Sequence, residues 1–197
     1  MKNTFFTLTF LFSYFLNAQI KETSKNFQDN LNIEYAKKES SPLNDEDFKS
    51  FKTLDFFEIN PKLILNAIFV KSKNEKVFDM KTSTKRLAKH LKYGVIIFQL
   101  DGKKHKLNLY QSADFKSNVG YEDYLFLPFF DLTNGNQSYV GGRYIDLRIP
   151  KGNTIEIDFN KAYNPYCAYS QRYSCPIVPA ENILKIEILA GVKKFHD

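Results

Sequence analysis

The chain has 197 residues and a net charge of +6, with only four arginines among its basic residues. This length suits one domain that buries a large core, so no second domain is required. The basic balance alone would fit nucleic acid, but the lysines are scattered over strand and loop positions and do not alternate with stacking aromatic residues. We therefore predict no nucleic-acid partner.

The first eighteen residues have the layout of a secretory signal peptide. Lys2 precedes an apolar block from Phe5 to Leu16, and Asn17-Ala18-Gln19 follows as the cleavage region. The apolar block is too short to cross a bilayer of about 30 Å as a helix. We expect residues 1–18 to be removed and the protein to be exported to the periplasm or the extracellular space. The mature chain then has no transmembrane segment.

Residues 19–40 form the predicted N-terminal helical region. Phe27, Leu31 and Tyr35 recur at the spacing of one apolar helix face. A second short helix is predicted from Asn44 to Phe51, because Asn44 can cap it and acidic residues occupy its first turn.

The predicted single β-rich domain comprises residues 41–197. Asp101-Gly102 lies between two strand-like segments and predicts a two-residue hairpin. Other strands are predicted at Leu63–Val70 (buried on both faces), Tyr139–Ile149, Thr154–Asn160 and Ile183–Leu189. The fold class is mostly β: a β-sandwich or β-barrel-like sheet with one or two short N-terminal helices.

Four segments in the second half have distinctive sequences: DLTNG at Asp131–Gly135, GRYIDL at Gly142–Leu147, DFNKAYNP at Asp158–Pro165 and CAYS at Cys167–Ser170. Together they resemble a bacterial and archaeal family known only as domain of unknown function 1684. The resemblance covers roughly residues 40–195. The family has no established activity, so the resemblance implies domain boundaries and a shared site rather than a function.

The two cysteines of the chain, Cys167 and Cys175, are eight positions apart. In an exported protein this spacing predicts a disulfide. Buried free thiols are the alternative, since the resemblance implies relatives that have the same cysteine pair and lack export signals. A metal site would need further ligands, and no histidine is near in sequence.

Tyrosine is concentrated between Tyr121 and Tyr173, in the company of three arginines. Tyrosine rings and arginine guanidinium groups are suited to sugars, aromatic groups or anions, because each has a flat apolar body and a polar edge. Rings that merely cover a sheet are the alternative. The predicted ligand-binding residues come from these motifs and their neighbours: Asp131, Tyr139, Arg143, Tyr144, Asn160, Tyr163, Asn164, Glu181 and Asn182.

Asp146 and Asp158 are the predicted chemical centre. If residues 145–149 and 155–159 form a hairpin with their apolar side chains aligned, Asp146 lies directly beside Asp158. Two carboxylates so close raise one pKa or require a cation between them. Such a pair would serve general acid-base catalysis or bind a divalent cation, whereas a solvated face or a register slip would leave it without a role.

These observations give one leading hypothesis and two alternatives. The leading one is an exported protein that binds a small polar or saccharide-like ligand in a pocket lined by Tyr, Arg and Asp. The first alternative is a carboxylate-based or metal-assisted hydrolase, and the second is an envelope interaction protein without pocket chemistry. The sequence does not decide whether the protein is an enzyme.

Overall fold

The computed structural model describes residues 23–114 and 117–196. The predicted signal peptide lies outside these residues. Residues 23–35 are helical (α1), and α2 spans Asp45–Ser50. Asn44 caps α2 as predicted, because its side chain accepts hydrogen bonds from the amides of Glu46 and Asp47. Within the described residues, no helix is both long enough and apolar enough to cross a membrane.

The strands of the described chain form one curled antiparallel sheet, a half-barrel, which confirms the mostly β prediction. The strand order is β6-β5-β4-β3-β1-β7, and β2 pairs with β3. The strands are β1 Ile64–Lys71, β2 Phe78–Lys81, β3 Leu87–Leu100, β4 Lys103–Ser112, β5 Tyr124–Phe129, β6 Arg143–Arg148 and β7 Thr154–Asp158.

The predicted hairpin at Asp101-Gly102 is confirmed. It joins β3 to β4, and both turn residues have positive φ, 51° at Asp101 and 72° at Gly102. A type I′ turn needs this conformation, which glycine adopts without strain and aspartate tolerates.

The predicted hairpin between the two later strands is wrong. β6 pairs with β5 and β7 pairs with β1, at opposite ends of the strand order. Alternating apolar residues specify a buried face but not the neighbouring strand, so Ile157 lies opposite Leu65 rather than Leu147.

Two further strand predictions need correction. β1 is buried on one face only, since Ala67 and Phe69 are in the core whereas Ile68 is 55% exposed. Segment 183–189 is not a strand. Its predicted alternation of buried and exposed residues is nevertheless present, since Leu184 and Ile188 lie in the core. It joins the rest through scattered bonds such as Leu184 N–H to the Phe130 carbonyl (2.8 Å).

A β-bulge in β3 assigns its side chains to two different environments. The pairing with β4 shifts between Lys92 and Gly94. Before the shift His90 lies opposite Ser112, and after it Ile96 lies opposite Leu107. Since opposed residues share a face, the extra residue places His90 on one face of the sheet and Ile96 on the other, although both numbers are even.

The two faces of the sheet carry different clusters of side chains. One carries the main core, to which β5 contributes Leu125, Leu127 and Phe129. The other carries a smaller aromatic cluster that includes Phe126 and Tyr144.

The side chain of Asn182 bridges β4 and β5 where their pairing is sparse. Its amide donates to the carbonyls of Asn108 (2.9 Å) and Pro128 (2.6 Å), and its Oδ1 accepts from the Asn108 amide (2.8 Å). Asn182 is completely buried. It therefore satisfies backbone groups that would otherwise be buried without partners.

A buried ion pair fastens β6 to the C-terminal segment. Arg143 is fully buried and donates to Asp131 Oδ2 (2.7 Å) and to the carbonyls of Ile188 (2.8 Å) and Ala190. Its guanidinium also lies 5.4 Å from the ring centre of Phe129. The interaction therefore joins the start of β6, the turn at Asp131 and the chain end.

Replacing Arg143 with Met should lower the free energy of unfolding by about 3–5 kcal/mol, because Asp131 would remain buried without its cation. The matched control is Arg148→Met, which breaks an ion pair with Asp123 whose side chains are 56% and 55% exposed. That change should cost less than about 1 kcal/mol. Urea unfolding measures both, and equal losses would refute the anchoring role of Arg143.

Candidate functional site

A cavity with a volume of about 570 Å³ lies on the sheet face that carries the aromatic cluster. Strands β3 to β6 contribute residues such as His90, Ser112, Phe126 and Asp146, and helix α1 contributes Phe27 and Leu31. Its wall is rich in tyrosine: Tyr121, Tyr124, Tyr144, Tyr163, Tyr166 and Tyr173.

Asp146 is a charged group on the wall of this cavity. Its Oδ1 accepts hydrogen bonds from the hydroxyls of Tyr124 (2.7 Å) and Tyr163 (2.6 Å). Its Oδ2 accepts none from the described residues, and the side chain is reached by solvent. One carboxylate oxygen is therefore held by the protein while the other remains an unused acceptor.

The local chain explains this arrangement. Tyr124 lies diagonally across from Asp146, since β5 pairs Phe126 with Asp146 and Tyr124 with Arg148. Tyr163 arrives from the segment after β7, which returns to the free edge of β6 and exchanges two backbone hydrogen bonds with Tyr144, each 2.9 Å. The two donors thus come from elements far apart in sequence.

The surroundings perturb the carboxyl of Asp146. The surrounding protein atoms partly desolvate the carboxyl, and this raises the pKa of Asp146 above the usual 3.8. The two tyrosine hydroxyls and the charge of Arg148 lower the pKa and so oppose this effect. Tyr166 is affected in turn. Its pKa is raised first by burial, and the charges of Glu34, the neighbouring Tyr173 and Asp146 add to the rise.

His90 is a second polar group on the cavity wall. Its Nδ1 lies 3.2 Å from the carbonyl oxygen of Ala88, which requires the proton on Nδ1 and leaves Nε2 as an acceptor. Burial lowers the pKa of His90, so the neutral ring is favoured.

Arg86 supplies positive charge to the described lining, but its guanidinium is hydrogen-bonded to Ser174. It donates from Nε to the Ser174 hydroxyl (3.0 Å) and from a terminal nitrogen to the Ser174 carbonyl (2.6 Å). The described lining also includes the carboxylates of Glu34, Asp114 and Asp146. Negative charge therefore predominates there.

The structure brings three of the residues predicted from sequence together at the cavity, namely Tyr144, Asp146 and Tyr163. Tyr144 is buried, and its hydroxyl donates to the Pro176 carbonyl. The tyrosine-rich interval was therefore a useful signal, although the predicted ligand-binding residues Asp131 and Tyr139 do not belong to the described lining of this cavity.

Asp158 does not meet Asp146. It accepts from the Ser24 hydroxyl (2.7 Å) and from the Asn160 amide group (2.9 Å), and Lys161 approaches within 3.6 Å. The predicted carboxylate pair is wrong, because it depended on a hairpin that does not form. Asp158 instead helps to hold α1 against the sheet.

Other predicted ligand-binding residues are built into the interior. Asp131, Arg143 and Asn182 make the contacts described above. Asn160 accepts from the Asn60 amide (2.8 Å), and Asn164 donates to the Lys193 carbonyl (2.9 Å). All five are buried and engaged with protein groups.

The two remaining predicted residues lie elsewhere. Tyr139 is half-buried with its hydroxyl 3.8 Å from Cys167 Sγ, and Glu181 is exposed. Neither lines the cavity, as far as its described residues extend.

The predicted disulfide is not formed, and both cysteines are free thiols. The Cys167 amide donates to Cys175 Sγ (3.1 Å), and a hydrogen bond between the two thiols lowers the pKa of Cys167 to about 6 while raising that of Cys175. The two cysteines are neighbours in the fold, as their spacing in sequence suggested. A disulfide also requires a narrow range of sulfur–sulfur distance and dihedral angle.

A divalent cation has no evident ligand set in this part of the chain. Among residues 23–114 and 117–196, no three or more His, Cys, Asp or Glu side chains are grouped so that they could hold a metal ion.

Several cavity residues escaped the sequence analysis. Three of them lie outside the motifs: His90 is on β3, Arg86 directly precedes β3, and Glu34 is on α1. Tyr124 belongs to the tyrosine-rich interval, but nothing in the sequence distinguishes it from the other tyrosines there. No local pattern distinguishes these residues, because their shared location depends on the β3 bulge and on how α1 docks.

These features define a class: a curled antiparallel sheet with an aromatic cavity on one face and a carboxylate on the cavity wall. The chain belongs to the family described as protein of unknown function (DUF1684), which matches residues 49–193. It is also similar to the solution NMR structure of an uncharacterized protein from Haloarcula marismortui, with 31% identity and a TM-score of 0.68. That match covers 92% of this chain and 95% of the other. Among curated proteins no match was found.

The hydrogen bonds at Asp146 predict a measurable titration. We expect carbon-detected NMR to give Asp146 a pKa above 3.8 in the folded protein, because crowding disfavours the charged form. Tyr124→Phe and Tyr163→Phe should each raise this pKa further, since each removes a donor to the ionised carboxylate. Tyr121→Phe is the control, and a fall in the pKa of Asp146 in either test variant would contradict the geometry.

Proposed function

We propose that this is an exported protein that binds a small polar molecule in the tyrosine-lined cavity. The observation that carries the proposal is the unused Oδ2 of Asp146 on the cavity wall, in a carboxylate whose Oδ1 is held by two tyrosine hydroxyls. An acceptor whose position is already fixed by its neighbours can orient a ligand without further ordering cost.

The dimensions and surface of the cavity agree with this role. Its volume of about 570 Å³ falls within the range of roughly 300–1,000 Å³ usual for small-molecule sites. Such sites combine apolar and aromatic walls with a few polar groups that set orientation. Here the walls are the tyrosines and Phe27, and the polar groups are Asp146 and His90.

A cavity-filling variant tests the location of binding. Ala88 lines the cavity and is 4% exposed, so Ala88→Met should fill part of it. We expect retained ligand in native mass spectrometry to disappear. Affinity for any monosaccharide, alcohol or amine probe that binds the wild type, measured by NMR, should fall at least about tenfold.

The same substitution at an exposed position, Ala180→Met, is the control and should leave binding unchanged. Thermal unfolding of both variants verifies that they remain folded. If no probe binds the wild type and no ligand is retained, or if binding survives in Ala88→Met, the proposal is refuted.

Export rests on the N-terminal sequence. We expect material secreted by a bacterial host to begin at or next to Gln19, because Asn17-Ala18-Gln19 has the small residue that signal peptidases require. Intact mass spectrometry of the periplasmic and medium fractions measures this. Exported protein that retains Met1 to Leu16 would contradict cleavage.

A hydrolase is the second candidate, and His90 is the observation in its favour. With Nδ1 held by the Ala88 carbonyl, Nε2 is available to accept a proton in the same cavity as Asp146. Chemical conversion of a bound probe, rather than binding alone, would distinguish this candidate. The carboxylate pair first considered for such a reaction is not assembled.

A further inference from the structure

We infer that the ligand of this cavity is a protonated organic amine, whose ammonium group donates a hydrogen bond to Oδ2 of Asp146. The inference rests on the proposed function and adds the chemical class of the ligand. It depends on three properties of the cavity: its charge, its aromatic wall and the way its hydroxyl groups are already used.

The described lining of the cavity has a charge opposite to that of the whole protein. The whole chain carries +6, yet the described lining has three carboxylates, those of Glu34, Asp114 and Asp146. The guanidinium of Arg86 is tied to Ser174 by two hydrogen bonds. A cation entering the cavity is therefore attracted by these carboxylates, and an anion is repelled by them.

The wall favours a cation as well. Aromatic rings attract positive charge over their faces, and the attraction grows when water is excluded. Neighbouring rings are tilted or edge-on: Tyr166 and Tyr173 have centroids 5.1 Å apart at 59°, and Tyr144 and Tyr163 5.9 Å apart at 90°. Rings set at such angles present faces in several directions.

The polar groups around Asp146 favour a ligand that donates hydrogen bonds. Three of the six tyrosine hydroxyls in the described lining already donate to protein acceptors, those of Tyr124 and Tyr163 to Asp146 and that of Tyr144 to the Pro176 carbonyl. The unused Oδ2 of Asp146 is an acceptor and requires a donor. An ammonium N–H supplies a charge-assisted bond there, which is about twice as strong as a neutral one.

Three probes of similar size, with the same phenyl ring and different polar groups, test the inference without any variant. We expect 2-phenylethylamine to bind at least about tenfold more tightly than 2-phenylethanol, and phenylacetate to bind more weakly than both. Titration calorimetry and NMR measure the affinities. Equal affinities of amine and alcohol, or tighter binding of the acid or of D-glucose, would overturn the inference but leave a ligand-binding cavity in place.

A variant links the effect to Asp146. Asp146→Asn keeps an oxygen that accepts from the tyrosines but removes the charge, so amine affinity should fall at least about tenfold while affinity for the alcohol is retained. Asp101→Asn, the same change in the distant β3–β4 turn, is the control. An unchanged amine-to-alcohol ratio in Asp146→Asn would overturn the inference, whereas failure of every probe to bind would refute the proposed function itself.

Discussion

The buried guanidinium of Arg143 is the constraint on which the rest of the structure depends. It occupies the first position of β6, and it bonds to Asp131 and to two carbonyls of the C-terminal segment. A charge in the interior is tolerated only when it is paired and hydrogen-bonded, so these three segments must be assembled together. Because side chains alternate along a strand, the orientation of Arg143 also directs Tyr144 and Asp146 to the opposite face.

The cavity is a consequence of covering that opposite face incompletely. In many antiparallel sheets the second face is solvated, and Asp146 would then be an ordinary surface carboxylate. Here α1 and the segment that contains Tyr163 and Tyr166 pass over it. The carboxylate thus lies among aromatic rings while solvent still reaches it. The bulge in β3 adds His90 to the same face.

The candidate site was only partly predictable. Asp146, Tyr144 and Tyr163 were identified because they lie in unusual motifs and in a tyrosine-rich interval. In the same motifs, Asp131, Arg143 and Asn160 proved to be buried structural groups. A motif of polar residues looks alike in both roles, since a buried network and a binding site need the same donors and acceptors. Burial separates them, and burial depends on the assembled fold.

The sequence by itself determined the local elements of this protein: the Asn44 cap, the Asp101-Gly102 turn and the alternation that gives each strand an apolar face. These follow from interactions between residues close in the chain. Only the tertiary structure decided that β6 pairs with β5 and that Asp146 meets Tyr124 and Tyr163 rather than Asp158. Alternation fits many strand partners equally, and the choice among them is made by how all the buried surfaces and polar groups are satisfied at once.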